Sequence, residues 1–224
     1  MINLTPYALR FDSEYPKYRD DTYLRILAVV AKIPSVATVK RMTADPAFQN
    51  FLTLADPVIA IKNYKSQIPF PTQLVTLWTQ IAELKDCSIT GASLLGEPGE
   101  VFRNIISLDG FQLPTVSAIY HFCHPGDFPI VDRNVAAACD YLCRKCDKLG
   151  LAPKLPPPKA PAECKMARYT AFIKFIEHLL FLMREGHAHP EELDFRFIDK
   201  ALMVLGADVI KQRESTRKNR RVAK

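Results

Sequence analysis

Apolar residues recur at spacings of three and four along most of the chain. Within 70–84, Leu74, Leu77, Trp78, Ile81 and Leu84 share one helical face, which places Trp78 in the core. The run YLRILAVVA at 23–31 follows Asp20 and Asp21, either of which is placed to cap a helix N-terminus. Asp56 and Pro57 ahead of VIAIKNY read as a cap-then-proline helix start. The same period continues over 97–107, 114–122, 132–149, 163–184 and 195–210. No period-2 run is flanked by hairpin turn signals. The pattern predicts an all-α protein.

Composition changes this picture in three places. Residues 152–161 (APKLPPPKAP) hold five prolines in ten positions, a density that forbids helix and favours an extended connector. With 224 residues, the helices on either side of it can form one domain over 1–210, packed as two lobes. The formal charge of +6 is carried by residues 211–224 (KQRESTRKNRRVAK), with seven Lys/Arg and one Glu, so the other 210 residues sum to zero. Basicity is thus a property of a C-terminal tail, read as a solvated arm with Arg217, Lys218, Arg220 and Arg221 available for phosphates. No apolar run approaches the roughly 20 residues of a bilayer span, and the N-terminus lacks a secretory pattern. The expectation is an intracellular monomer, cytoplasmic or nuclear, with no membrane partner.

In that compartment the six cysteines are expected as reduced thiols. Cys139, Cys143 and Cys146 spell C-x3-C-x2-C, a spacing used by iron–sulfur radical enzymes. Those enzymes resemble β/α barrels with glycine-rich loops, whereas this chain is helical and has only 8 Gly. The three positions fall on one face of an α-helix, where buried thiols pack as small apolar groups. Adding Cys164 would give four zinc ligands across the connector. The expectation is no metal, with a metal-dependent enzyme as the weakest of three functional readings.

The chemistry concentrates in 101–135, VFRNIISLDGFQLPTVSAIYHFCHPGDFPIVDRNV. This reads as a helix, a tight turn over 108–113, and a second helix opened by Pro114. Gly110 sits where the turn needs positive φ. Backbone N–H groups of the turn and of the second helix's N-terminus suit one phosphate of a nucleic acid. After His124-Pro125-Gly126, an extended stretch 128–131 delivers Asp132 to the head of the next helix. Taken alone, Asp132 is a good N-cap. His121 and His124 read as structural.

These residues resemble the helix-hairpin-helix DNA glycosylases of base excision repair. Leu108-Asp109-Gly110 matches the family's hairpin, Thr115-Val116-Ser117-Ala118 its small-residue helix, and Phe128-Pro129-Ile130-Val131-Asp132 the segment that presents the catalytic aspartate. A fainter likeness lies in 195–202 (FRFIDKAL), similar to the closing helix of uncharacterised bacterial members. The resemblance implies a two-lobed helical fold and DNA contacts from Leu108, Gly110, Gln112, Pro114 and Thr115. It implies a wedge after an early helix, for which Tyr64 and Gln67 are the candidates, and a monovalent cation at the hairpin as the only accessory ion.

Three positions depart from the family. Gln112 replaces the hairpin's second glycine, at a backbone cost if that position must be left-handed. Pro114 stands where bifunctional members carry a Schiff-base lysine, which excludes β-lyase chemistry by that route. Nothing after Cys164 can hold the iron–sulfur cluster of many relatives. The implied activity is monofunctional. The target base flips out of the stack, and Asp132 stabilises the oxocarbenium-like transition state or activates water. The rival reading is a non-catalytic DNA-binding protein on the same scaffold.

Overall fold

The computed structural model describes residues 2–45, 72–89, 93–185, 187 and 189–222. Among these the chain is helical and contains no strand. The helices are α1 (Thr5–Glu14), α2 (Asp20–Ala31), α3 (Val36–Met42), α4 (Thr72–Asp86), α5 (Glu97–Ile106), α6 (Leu113–Cys123), α7 (Arg133–Cys143), α8 (Ala162–Arg184) and α9 (Phe195–Val222). The helix expected behind Asp56 and Pro57 lies outside the described residues.

Spacing does not predict α1 and α3, whereas α2 and α4 bury the faces that spacing assigns them. Tyr23, Ile26 and Val30 of α2 are buried, as are Leu77, Ile81 and Leu84 of α4. α6 is the central element: from Val116 to Phe122 every residue is buried. α2 and α4 pack on it from the N-terminal half, α5 and α8 from the other sides. One continuous apolar cluster runs from Leu4 through these helices to Val209. Trp78 is partly buried against it, and its Nε1 has no hydrogen-bond partner among the described residues. No single described helix is long and apolar enough to cross a membrane.

Four expectations need correction. Neither Asp20 nor Asp21 caps α2 through its side chain; both lie in its first turn, where their charge complements the helix dipole. The helix expected over 132–149 ends at Cys143, followed by a 3-10 turn at Asp147–Leu149. Cys146 therefore sits beyond the helix rather than on one face with Cys139 and Cys143, although all three pack on the core. The tail is the fourth. α9 runs unbroken through residue 210 to Val222, because 211–222 contains no Gly or Pro and is rich in good helix formers.

α9 packs along α7 and, on another face, against α1. The α7 contact depends on Gly206, since a Cβ there would stand 1.8 Å from the Asn134 carbonyl oxygen. Only a residue with no side chain allows the two backbones so close.

Candidate active site and nucleic-acid contacts

The turn between α5 and α6 has Gly110 at φ 78°, the positive value expected of it. Phe111 N–H donates to Leu108 O at 3.0 Å and the Phe111 ring is buried, which anchors the turn. Gln112 is extended, at φ −124° and ψ 166°, so the anticipated left-handed strain is absent. The helix starts at Leu113, one residue early, and Gly110 alone absorbs the reversal. Gln112 O accepts from Thr115 N at 3.0 Å and Val116 N at 3.1 Å. The Thr115 N–H is thus spent inside the helix and does not face a phosphate. Gly110 and Gln112 are exposed, and their N–H groups, with that of Leu113, have no acceptor among the described residues. Leu108 packs on the core, and Pro114 occupies the first turn of α6.

The stretch 128–131 runs through the protein interior, where every backbone polar group must find a partner. Buried side chains supply them. His121 Nδ1 lies 2.7 Å from Phe128 O. A carbonyl only accepts, so Nδ1 carries a proton, and Nε2 lies 2.9 Å from the Tyr23 hydroxyl. Tyr169 donates to Pro129 O at 3.0 Å. Ser117 Oγ accepts from Val131 N at 3.0 Å and lies 3.1 Å from Pro114 O and 3.3 Å from Val131 O, the two carbonyls its proton can reach. Ser117, His121 and Tyr169 are fully buried. His124 is structural as read, its Nε2 bonded to Leu84 O at 2.7 Å.

This segment ends in Asp132, whose Oδ1 accepts from Asn134 N at 2.8 Å and Val135 N at 3.0 Å. Two backbone donors fix the carboxylate, while Oδ2 receives no hydrogen bond from the described residues. Asp132 is half-buried and lines a cavity of about 90 Å³, together with Phe11, Tyr18, Tyr23, Ile130, Arg196, Asp199 and Met203. A fixed carboxylate in a concave wall that includes four aromatic side chains can stabilise a neighbouring positive charge or orient a water.

Arg196 also lines this cavity. Its guanidinium carbon lies 4.3 Å from the Tyr23 ring centre and 5.1 Å from that of Phe11. Nη1 pairs with Asp199 Oδ2 at 3.1 Å, Nη2 donates to Tyr18 O at 2.6 Å, and Nε reaches Asp20 Oδ1 at 3.3 Å. Lys200 holds the other Asp20 oxygen at 2.7 Å. Partial burial would push the Asp20 carboxyl up, but the Lys200 hydrogen bond and both cations outweigh it and hold the group below its ordinary value. Burial pushes the Tyr23 hydroxyl up to about 12.

Of the residues singled out by sequence, Asp132 stands in this pocket. Leu108, Gly110, Gln112, Pro114 and Thr115 stand at the head of α6, joined to the Asp132 segment through Ser117. Arg217 and Lys218 are exposed far along α9, and the backbone of Arg220 and Arg221 lies in its last turns. Tyr64 and Gln67 lie outside the described residues. Sequence reasoning missed Phe11, Tyr18, Tyr23, Arg196 and Asp199. One signal was present: Arg196 and Asp199 stand at i, i+3 on an otherwise apolar helix start, a spacing that pairs them.

The cysteines are free thiols. Burial pushes the Cys123 thiol up to about 12 and those of Cys139 and Cys143 upward. Among the described residues no group of three or more His, Cys, Asp or Glu is placed to hold a metal ion. Comparison with protein-family models, with curated proteins and with solved structures returns no match for this chain.

Proposed function

We propose that this protein is a monofunctional DNA N-glycosylase with the two-lobed helix-hairpin-helix architecture that its 101–135 segment resembles. The reading rests on Asp132: a carboxylate with one oxygen fixed by two backbone N–H groups, the other unengaged by the described residues, in the wall of an aromatic-lined cavity. Cleavage of an N-glycosidic bond puts positive charge on the sugar, and a preorganised anion next to that charge lowers the barrier. Water adds to the anomeric carbon, the bonding pair leaves with the base, and the water's proton passes to Asp132 or to solvent. The N–H groups of Gly110, Gln112 and Leu113 would receive a phosphate of the same strand. The chemistry needs no cofactor.

Wild type and Asp132→Asn are incubated with duplexes each holding one damaged or modified base, then treated with alkali. Wild type is expected to give strand breaks on its lesion class, and the variant to be at least about 10²-fold slower, the scale of losing one preorganised electrostatic group. Equal breakage by both proteins removes Asp132 from the chemistry.

A second reading, a non-catalytic DNA-binding protein, draws support from the cavity itself. At about 90 Å³ it is small against the roughly 300 Å³ at which ligand pockets begin, and the Arg196 guanidinium already lies over the Phe11 and Tyr23 rings. DNA binding by wild type without breaks on any lesion favours this reading.

A further inference from the structure

We propose that a basic groove beyond the C-terminal end of α7, walled on its other side by α9, receives the phosphate backbone of DNA at a site separate from the Asp132 cavity. The identity of the ligand rests on the DNA reading above; the groove does not require Asp132 to cleave anything. It has a volume of about 630 Å³, and its lining includes Tyr141, Arg144, Lys145, Gln212, Arg213 and Arg217.

The cations are organised rather than merely numerous. Asp140 Oδ2 binds both Arg213 Nη2, at 2.5 Å, and Arg144 Nη2. One carboxylate therefore fixes two guanidiniums and neutralises only one of them. Arg213 spends one of its five N–H donors on Asp140 and Arg144 two, which leaves planar donor forks held in place for phosphate oxygens. Lys145 lies 5.8 Å over the Tyr141 ring. Neither Lys145 nor Arg217 has an ion-pair partner among the described residues.

Geometry selects a strand over a membrane. Arg213 and Arg217 are one turn apart, about 6 Å along the helix. Phosphates of one DNA strand recur every ~3.4 Å of duplex axis, so a strand laid along the groove meets both. A bilayer surface is held by an apolar helix face, and residues 211–219 (KQRESTRKN) carry no apolar side chain. A recess also suits a ridge of phosphates better than a plane of headgroups.

The test uses the full chain and a lesion-free duplex, with affinity measured at several salt concentrations. Lys145→Ala/Arg217→Ala removes two groove cations that make no ion pair, so the fold is retained. The plot of log affinity against log salt is expected to become shallower by about 1.8, so that raising salt from 50 to 200 mM costs the variant about twelvefold less than wild type. Lys17→Ala/Lys32→Ala, which removes the same charge from exposed sites elsewhere, should keep the wild-type slope. Equal slopes for groove variant and wild type, equal changes in both double variants, or no duplex binding by wild type would each overturn the proposal. So would a loss confined to binding of anionic phospholipid vesicles. A chain that breaks no lesion but still loses salt dependence in the groove variant would retain the groove and lose the glycosylase.

Discussion

The two ends of α7 treat charge in opposite ways. At its head, Asp132 is pinned by backbone donors beside an arginine that is 13% exposed, stacked on two rings and paired with a carboxylate 6% exposed. At its tail, two arginines share one carboxylate, all three more than 40% exposed, and further cations stand unpaired among the described residues. Removing water makes charge expensive unless geometry and partners are complete, so the head is rigid and specified. In water the same charges cost little and bring little stability, which leaves the tail free to attract a polyanion.

Arg196→Leu is the strongest way to break this contrast. It leaves Asp199 buried without its guanidinium and is expected to destabilise the fold by about 3–5 kcal/mol, read from urea denaturation. The groove variant Lys145→Ala/Arg217→Ala should stay within about 0.5 kcal/mol of wild type in the same measurement. If both changes cost the same, the two ends are not energetically distinct.

Gly206→Ala attacks the junction. The added carbon meets the Asn134 carbonyl, so α7 and α9 must separate, at a cost of about 1–3 kcal/mol. Because Asn134 N also holds Asp132 and the groove is walled by the same two helices, any excision activity and the groove binding of lesion-free duplex should fall together. Retained stability and activity would show that the two helices yield easily.

The smallest effect is set by pH. The carboxyls of Asp20 at the head and Asp140 at the tail both lie below their ordinary value; burial opposes this, and hydrogen bonds from Lys200 and Arg196, or Arg213 and Arg144, overcome it. A depressed folded value means that their contribution is complete above about pH 3.9, the unfolded value, and is lost as pH falls through the folded one. The urea midpoint should drop below about pH 4, and Asp20→Asn should flatten part of that drop. An unchanged drop would remove Asp20 from the acid transition.

What the sequence made legible follows from what its signals measure. Spacing in α2, α4, α6 and α8 reports a buried face, and those faces are buried. Asp132 was readable because proline, an extended run and a capping residue are adjacent in the chain. The Arg196 pocket was not, since it joins side chains from Phe11, Tyr23 and Arg196, far apart in sequence, that meet only when α9 packs on α1. The end of α9 was missed for a different reason. Apolar periodicity stops at Ile210 because burial stops there, while the backbone stays helical on intrinsic propensity. At Gln112 the family pattern suggested strain, yet one glycine was enough to turn the chain.

Trp78 has an optical consequence. It is the only tryptophan in the chain, it sits on α4, and it does not line the Asp132 cavity. Intrinsic indole emission therefore watches the packing of α4 on the core and is blind to changes at the head of α7. The tyrosines Tyr18 and Tyr23 stand in the pocket wall, so their ultraviolet signal is the one that a ligand entering the cavity would disturb.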